Sequence, residues 1–406
     1  MERADLIRLL GAEPLLAEPR DIVVEARDPA AFIAQFTEAV AAGGTVFLAD
    51  PAWGQAERAQ FNLLIGHRSL VIGHSRVARG WLCIPTGGSS GAIKLARHDE
   101  ETLSAAVNGF CAHFAVKKVN VVGLLPLHHV SGFMAWMRTV LTGGTYLPAS
   151  WKAVEAGERP ALPTGEGDWF LSLVPTQLQR LLGDREAEDW LRGFRAVFIG
   201  GGPAWPELVE AGARARLPLA FSYGMTETAA MVAALRPDEF LAGGQGSGSP
   251  LPHARITLAD EGRVVIEAAS LFRGYWPETR AAGAWATEDV GRFDERGSLH
   301  ILGRRDALII TGGEKVDPAE VERVLRGTGQ FADVAVIGVP DPRWGEAVVA
   351  CYPAEFPPTD LSAVERVLAS HLAVFKHPKR YAAIARWPRN AQGKVNRAEL
   401  RALLAR

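Results

Sequence analysis

Through most of the chain, short apolar runs alternate with stretches whose apolar residues recur at helical spacing. Residues 45–49, 119–125, 169–174 and 196–199 are brief, rich in β-branched and aromatic side chains, and predict buried strands. Between them Leu103, Val107, Phe110, Cys111 and Phe114 return on one face of a helix. Strand-like runs separated by helix-period segments predict an α/β sheet covered on both sides. No fixed-period internal repeat is superimposed on this pattern.

The pattern changes near Gly303. Asp317-Pro318-Ala319-Glu320 has the composition of a helix start, with Asp as N-cap, Pro at the first helical position and Glu at the third. Val321, Val324 and Leu325 supply the apolar face of that helix. Strand-like 334–339 and 347–352 follow, then helical 361–374 and strand-like 381–385, with the Pro-rich 353–358 as an internal loop. The expectation is a large domain, residues 1–303, followed by a small α+β domain, residues 304–406.

With 48% hydrophobic and 22% charged residues the composition is that of a globular chain, so disorder is not the starting point. A formal net charge of −2, with no block of like charge, gives no support for non-specific adhesion to nucleic acid or anionic lipid. Cys83, Cys111 and Cys351 are far apart and predict reduced thiols. Glu2, Arg3, Asp5 and Arg8 interrupt the leucines of the N-terminus, and no apolar run approaches the roughly 20 residues of a membrane span. A soluble, cytoplasmic protein without membrane insertion is expected.

Candidate chemistry begins after the apolar stretch 81–84. Thr86-Gly87-Gly88-Ser89-Ser90-Gly91-Ala92-Ile93-Lys94 combines glycines that free backbone N–H groups, hydroxyl donors and a cation, a set suited to an anion. It is not a GxxxxGK[ST] P-loop, since the spacing fails and Leu95 follows the lysine. Standing alone, the segment reads equally well as a flexible Gly/Ser surface loop. Similar ambiguity holds for Gly200-Gly201-Gly202-Pro203 as an ordinary strand-to-helix turn and for Thr226-Glu227 as a helix start. Alone, Asp289 is a loop acid and Lys394 a surface lysine.

In order along the chain, these segments resemble the acyl-adenylate-forming superfamily of acyl-CoA synthetases, peptide-synthetase adenylation domains and luciferases. The phosphate loop of that family runs Thr-Ser-Gly-Thr-Thr-Gly-x-Pro-Lys; here Gly87 and Ile93 depart from it, while Thr86, Ser89, Ser90, Gly91 and Lys94 remain to bind ATP. Ser222-Tyr223-Gly224-Met225-Thr226-Glu227 is similar to the Tyr-Gly-x-Thr-Glu core, which implies Tyr223 on the adenine, Thr226 on the α-phosphate and Glu227 on Mg²⁺. By the same resemblance Gly201 and Gly202 border adenine and the acyl pocket, and Asp289 accepts both ribose hydroxyls, for which two carboxylate oxygens are suited. The string from Gly303 through Glu322 is the nearest match. It implies Arg304 as a ribose and phosphate contact, Asp306 as hinge, and Gly312-Gly313 along the pantetheine path of coenzyme A. Gly393-Lys394-Val395-Asn396-Arg397 resembles the C-terminal Gly-Lys-x-x-Arg motif, which makes Lys394 the catalytic lysine.

The resemblance implies an acyl-CoA synthetase-like α/β fold: mixed sheets covered by helices in the large domain, and a mobile α+β C-terminal domain. It implies ATP, Mg²⁺, a small-molecule carboxylic acid and coenzyme A as partners, and leaves a homo-oligomer open. Pro126-Leu127-His128-His129-Val130-Ser131-Gly132 resembles the Pro-Leu-x-His-x-x-Gly motif, with His129 as the gate near the reacting carboxylate. The Ser-Gly after the gate, the Gly-Gly-Glu-Lys-Val string and the compact region before Thr86 are similar to 2-succinylbenzoate–CoA ligases of menaquinone and phylloquinone biosynthesis. Ser131 and Arg138 are candidates for holding that acid's second carboxylate, against a helix-surface reading for Arg138. A CoA ligase for another aryl or short-chain acid, a stand-alone amino-acid adenylation enzyme, and an inactive nucleotide-binding regulator are the competing readings. Retention of Lys94, Glu227, Asp289 and Lys394 argues against the last.

Overall fold

Each strand-like run forms a strand, and the side chains within it divide between two buried faces. A computed structural model describes residues 1–14, 18–66, 80–87, 93–165, 167–202, 204–312, 314–389 and 395–404. The chain separates into two compact units. One comprises Met1–Gly87, Ile93–Thr287 and Gly291–Ile301, the other Glu288–Val290 and Leu302–Arg406.

The first unit begins with a four-stranded sheet of β1 (Arg20–Val24), β2 (Gly43–Leu48), β3 (Leu82–Gly87) and β4 (Ile93–His98), in that order. The β1–β2 and β2–β3 pairs are parallel and β3–β4 is antiparallel. A seven-stranded sheet follows, made of β5 (Val119–Gly123), β6 (Tyr146–Pro148), β7 (Asp168–Leu173), β8 (Ala196–Ile199), β9 (Leu219–Met225), β10 (Ala230–Ala234) and β11 (Ser249–Pro250). Its order is β11-β10-β9-β8-β7-β5-β6, parallel from β6 to β9 and antiparallel from β9 to β11.

Alternation along the central strands explains the layering. Val121, Phe170 and Phe198 face one core, which holds Phe110 and Phe114 of helix Glu100–Phe114. Val122, Leu171 and Val197 face the other, against Leu178, Leu191 and Leu208 from three further helices. Strand residues point to opposite faces in turn, so a sheet buried on both sides needs apolar residues at every position. Phe110 packs edge-on to Phe170 with ring centroids 5.3 Å apart and lies 5.5 Å from Phe198. A third sheet, β12 (Ala254–Leu258), β13 (Arg263–Ala268), β14 (Trp285–Phe293) and β15 (Leu299–Arg304), runs in sequence order.

The second unit is α+β. Strands β16 (Ile309–Thr311), β17 (Glu314–Val316), β18 (Ala335–Asp341) and β19 (Gly345–Pro353) have the order β17-β16-β19-β18, and β20 (Arg380–Ile384) pairs parallel to β19. Helices Pro318–Gly327 and Leu361–His371 cover one face through Val321, Leu325, Val364 and Leu368. Leu400 of helix Arg397–Leu404 covers the other. Asp317 caps its helix by accepting the Ala319 N–H at 2.9 Å, with Pro318 at the first helical position. Glu320 does not close a capping box; its oxygens take the Lys376 ammonium at 2.8 and 2.6 Å. Among the described residues no helix is long and apolar enough to cross a membrane.

Candidate active site

The β3–β4 hairpin sets Thr86 opposite Lys94 and Gly87 opposite Ile93. Ser89, Ser90 and Gly91 lie outside the described residues. Segment 273–276 runs beside β4: Arg273 N–H donates to Arg97 O at 2.7 Å, Arg97 N–H to Gly274 O at 2.9 Å, and Trp276 N–H to Leu95 O at 2.8 Å. This strand-like pairing delivers Tyr275 to the hairpin, where the Lys94 ammonium stands 5.1 Å from the centre of its ring. The Tyr275 hydroxyl donates to Glu227 Oε1 at 2.6 Å, and Phe272 N–H donates to the Glu227 carbonyl at 2.8 Å. Lys94 and Glu227, far apart in sequence, are thus joined through one tyrosine.

Thr226 and Glu227 occupy a 3₁₀ turn, Thr226–Thr228, where β9 ends, and both are buried. Two alanines with positive φ, Ala229 at 51° and Ala230 at 75°, turn the chain back into β10. A Cβ at Gly224 would fall 2.0 Å from the Ala230 carbonyl oxygen, so this close approach admits only glycine. His98, fully enclosed, donates from Nε2 to the Thr226 carbonyl at 2.8 Å, and its Nδ1 lies 3.1 Å from Thr102 Oγ1. Burial depresses its pKa to about 4, so it stays neutral and serves as a fixed donor. The carbonyl partner accepts only, which assigns the proton to Nε2.

Tyr223 is buried in β9. Gly200 follows β8, and a Cβ there would lie 3.3 Å from Ser222 Oγ on β9. Gly201 has φ 80°, and a Cβ at Gly202 would meet nothing within 4 Å. Gly200 thus passes close to Ser222, while the space beside Gly202 is open.

His129 is the N-cap residue of helix Val130–Thr142, although its side chain makes no capping hydrogen bond. Its Nε2 lies 3.7 Å from Asp50 Oδ2, the His128 Nε2 lies 3.3 Å from Asp50 Oδ1, and all three residues are buried. Burial works to raise the Asp50 pKa. The His128 hydrogen bond, the Ala52 N–H and the charges of both rings outweigh it and hold the carboxyl below its ordinary value.

Ser131 is exposed on the first turn of the same helix, and Arg138 is buried two turns further on. The structure corrects the helix-surface reading of Arg138. Its guanidinium sits 4.4 Å from the Phe110 ring centre, and its Nε has no hydrogen-bond partner among the described residues. Burial lowers its pKa to about 10, partly offset by Cys111, so it remains a cation at neutral pH.

In the second unit, Asp289 on β14 is buried and lies 3.4 Å from Arg304 of β15. Asp306 lies in the 3₁₀ turn Arg305–Ala307. Gly312, with φ 59°, donates its N–H to the Trp344 carbonyl at 2.8 Å, and a Cβ there would press on the Trp344 ring at 3.2 Å. Gly313 and Lys394 lie outside the described residues. The chain entering and leaving 390–394 is pinned by an Arg389–Val395 bridge, by Asn396 N–H to Pro388 O at 3.0 Å, and by Arg397 on the buried Glu322 at 2.6 Å.

Two residues escaped the sequence reading. Tyr275 stands in an aromatic run, Leu271-Phe272-Arg273-Gly274-Tyr275-Trp276, whose hydroxyl-bearing member was the one signal there. Asp50 follows an apolar strand and precedes a proline, which reads as turn chemistry and nothing more.

Residues 81–276 match the AMP-binding enzyme family, and residues 320–394 match the AMP-binding enzyme C-terminal domain. The chain belongs to the AMP-binding enzyme family. Within it, the chain is similar to the 2-succinylbenzoate–CoA ligase of Geobacillus kaustophilus, 35% identical over 300 residues that cover 69% of this chain and 60% of that one. It spans about 60% of the length of the curated relatives it matches. Among solved structures it resembles the o-succinylbenzoate CoA synthetase of Bacillus subtilis in complex with the acyl-adenylate intermediate OSB-AMP. That likeness has a TM-score of 0.76 and 22% identity, and covers 98% of this chain and 90% of the other. An E. coli MenE variant with bound OSB-AMS gives a TM-score of 0.74 and 26% identity, covering 99% of this chain and 90% of the other. The acyl-CoA synthetase-like α/β fold expected from the sequence is the fold found.

Proposed function

We propose that the chain is an ATP-dependent, AMP-forming acid–CoA ligase whose acid is 2-succinylbenzoate, with 2-succinylbenzoyl-CoA, AMP and diphosphate as products. The observation that carries this reading is the Lys94–Tyr275–Glu227 link, which gathers a cation, a hydroxyl and a carboxylate beside the glycine-rich hairpin. The choice of acid is supported by the names of the relatives and by a buried Arg138 whose Nε has no hydrogen-bond partner among the described residues.

In this reading a carboxylate oxygen of the acid attacks the α-phosphorus of ATP, and the bond to pyrophosphate breaks. The thiol of coenzyme A then attacks the acyl carbon of the mixed anhydride, and AMP leaves. Such chemistry depends on positioning and on neutralising charge. Thr86, Ser89, Ser90, Gly91 and Lys94 hold the phosphates, Thr226 the α-phosphate, Gly201, Gly202, Tyr223 and Gly224 the adenine, and Asp289 with Arg304 the ribose. Glu227 fits a divalent ion, because its carboxylate is a hard oxygen donor, oriented by the Tyr275 hydroxyl on Oε1. Mg²⁺ bound there with ATP supplies neutralisation of the triphosphate charge. Residues 304–406 carry Lys394, with Asp306 as hinge and Gly312-Gly313 along the pantetheine path.

Pyrophosphate release, measured with a panel of acids with and without coenzyme A, tests the proposal. Release that depends on 2-succinylbenzoate, with a CoA thioester formed only when coenzyme A is present, is the expected result. Release with no acid in the panel, or with a different acid preferred, would refute it.

Tyr275→Phe keeps the ring beside Lys94 and deletes the hydrogen bond to Glu227. A hydrogen bond to a charged group contributes roughly 1.5–3 kcal/mol, about 10- to 100-fold. The expected outcome is a fall of that size in adenylate formation and a higher half-saturating Mg²⁺, read from initial rates at varied Mg²⁺. An unchanged Mg²⁺ dependence would remove Tyr275 from the site.

A further inference from the structure

His98 ends β4, the strand that begins beside Lys94, and it lies outside every motif read from the sequence. Its ring is wholly buried, and Nε2 meets the Thr226 carbonyl at 2.8 Å across 128 residues of chain. Within the turn Thr226–Thr228 the Ala229 N–H reaches the same oxygen at 3.2 Å, a longer bond. The next carbonyl, Glu227 O, takes the Phe272 N–H at 2.8 Å. Both carbonyls of the pair Thr226-Glu227 are therefore tied to parts of the chain outside the turn, and the tie on Thr226 is a side chain.

The ring is itself held in place. Thr102 Oγ1 accepts the Asp99 N–H at 3.0 Å, and its own hydrogen lies between His98 Nδ1 at 3.1 Å and the Asp99 carbonyl at 2.9 Å. Asp99 accepts the Thr102 N–H at 3.1 Å and takes the Arg273 guanidinium on both oxygens, at 2.7 and 3.0 Å. The start of helix Glu100–Phe114 thus anchors the histidine, and the same aspartate anchors the segment that carries Tyr275. An apolar side chain would fill the volume of a neutral imidazole; what the imidazole adds is a donor to a buried carbonyl. We propose that His98 is a positioning residue of the nucleotide site: its hydrogen bond to the Thr226 carbonyl holds the Thr226–Thr228 turn so that Thr226 keeps its place beside the α-phosphate. This rests on the proposed function in that Thr226 contacts that phosphate. The restraint on the turn does not depend on that reading.

His98→Leu fills the space without a donor, whereas His98→Gln returns an amide N–H to about the position of Nε2. In the full chain His98→Leu is expected to lose about 10- to 100-fold in the rate of adenylate formation, the cost of leaving a buried acceptor short of its donor. His98→Gln should recover most of that loss. A double-mutant cycle with Thr226→Val tells positioning from general support. If His98 acts through Thr226, His98→Leu should cost less than about twofold more once the Thr226 hydroxyl is gone. Hydrogen exchange of the backbone amides from Thr226 to Met231, followed without nucleotide, should quicken in His98→Leu and return toward the native rate in His98→Gln. Equal rates and equal exchange in the leucine and glutamine variants would overturn the proposal, as would a full additive loss in the cycle. Should the leucine variant not fold, His98→Asn replaces it, since its shorter amide cannot reach the Thr226 carbonyl. If the native protein activates no acid, the functional proposal fails while the exchange result still decides what His98 does.

Discussion

Lys394→Ala is expected to slow adenylate formation by about 10²–10³-fold while leaving thioester formation from a supplied acyl-adenylate within a few-fold of the native rate. The magnitude follows from removing one donor aimed at charge that develops in a transition state, about 3–4 kcal/mol. In the proposed reaction negative charge would accumulate as the acid's oxygen meets the α-phosphorus, and an ammonium there would act only while both are present. In the proposed second step thiol attack would develop charge at the acyl carbonyl instead, and the lysine would have no further part. The framework around 390–394 makes the experiment clean. Trp387 Nε1–H donates to Asp333 Oδ2 at 2.9 Å, Arg389 binds the same carboxylate, and Arg397 binds Glu322, so the flanking chain is held without the lysine. Single-turnover formation of AMP-linked acid and stopped-flow thioester formation read the two steps separately. Equal loss in both would mean that Lys394 serves binding or folding and not the first step alone.

Much of the fold was legible because apolar runs bounded by helical periods leave few alternatives. Residues 196–199 form β8 as read, and 119–125 and 169–174 overlap β5 and β7 closely, since sheets buried on both faces require unbroken apolar strands. The antiparallel turn from β9 into β10 was not legible. It depends on Ala229 and Ala230 at positive φ, and alanine carries no signal for that conformation. The Asp-Pro-x-Glu start at 317–320 formed the cap with Glu320 at the third helical position as read, whereas the pairing of Glu320 with Lys376, fifty-six residues away, was not legible.

The candidate site divides along the same line. Motifs contiguous in sequence could be read, whereas contacts between distant segments could not. Tyr275 reaches Glu227 across 48 residues, and Asp50 reaches His128 and His129 across the intervening α/β units. Nothing in local spacing reports such a meeting. Arg138 is the instructive intermediate case. Helix Val130–Thr142 is buried from Gly132 through Thr139, so the two turns that carry Arg138 have no solvent face. Its sequence, VSGFMAWMRTVLT, holds one charged residue among apolar and small ones. A lone charge in a helix apolar all round signals burial, and the amino-acid sequence alone carries that signal.

Arg138→Met should therefore separate stability from specificity. A guanidinium removed from water without a carboxylate beside it costs several kcal/mol, and replacing a buried charge with an apolar side chain of similar volume is often neutral or stabilising. Methionine also preserves packing against Phe110, so the variant's Tm should match or exceed that of the native chain. A cation kept at such a cost calls for an anion that arrives with the substrate. The decisive comparison is 2-succinylbenzoate against 4-oxo-4-phenylbutanoate, the same skeleton without the ring carboxylate. The native chain should prefer the dicarboxylate in kcat/KM by about 10²-fold or more, the yield of a desolvated charge pair whose loss costs about 3–5 kcal/mol. Arg138→Met should abolish the preference by losing activity toward the dicarboxylate while keeping most of it toward the monocarboxylate. If both acids suffer alike, Arg138 supports the helix and does not recognise the substrate, and the second carboxylate must be held elsewhere.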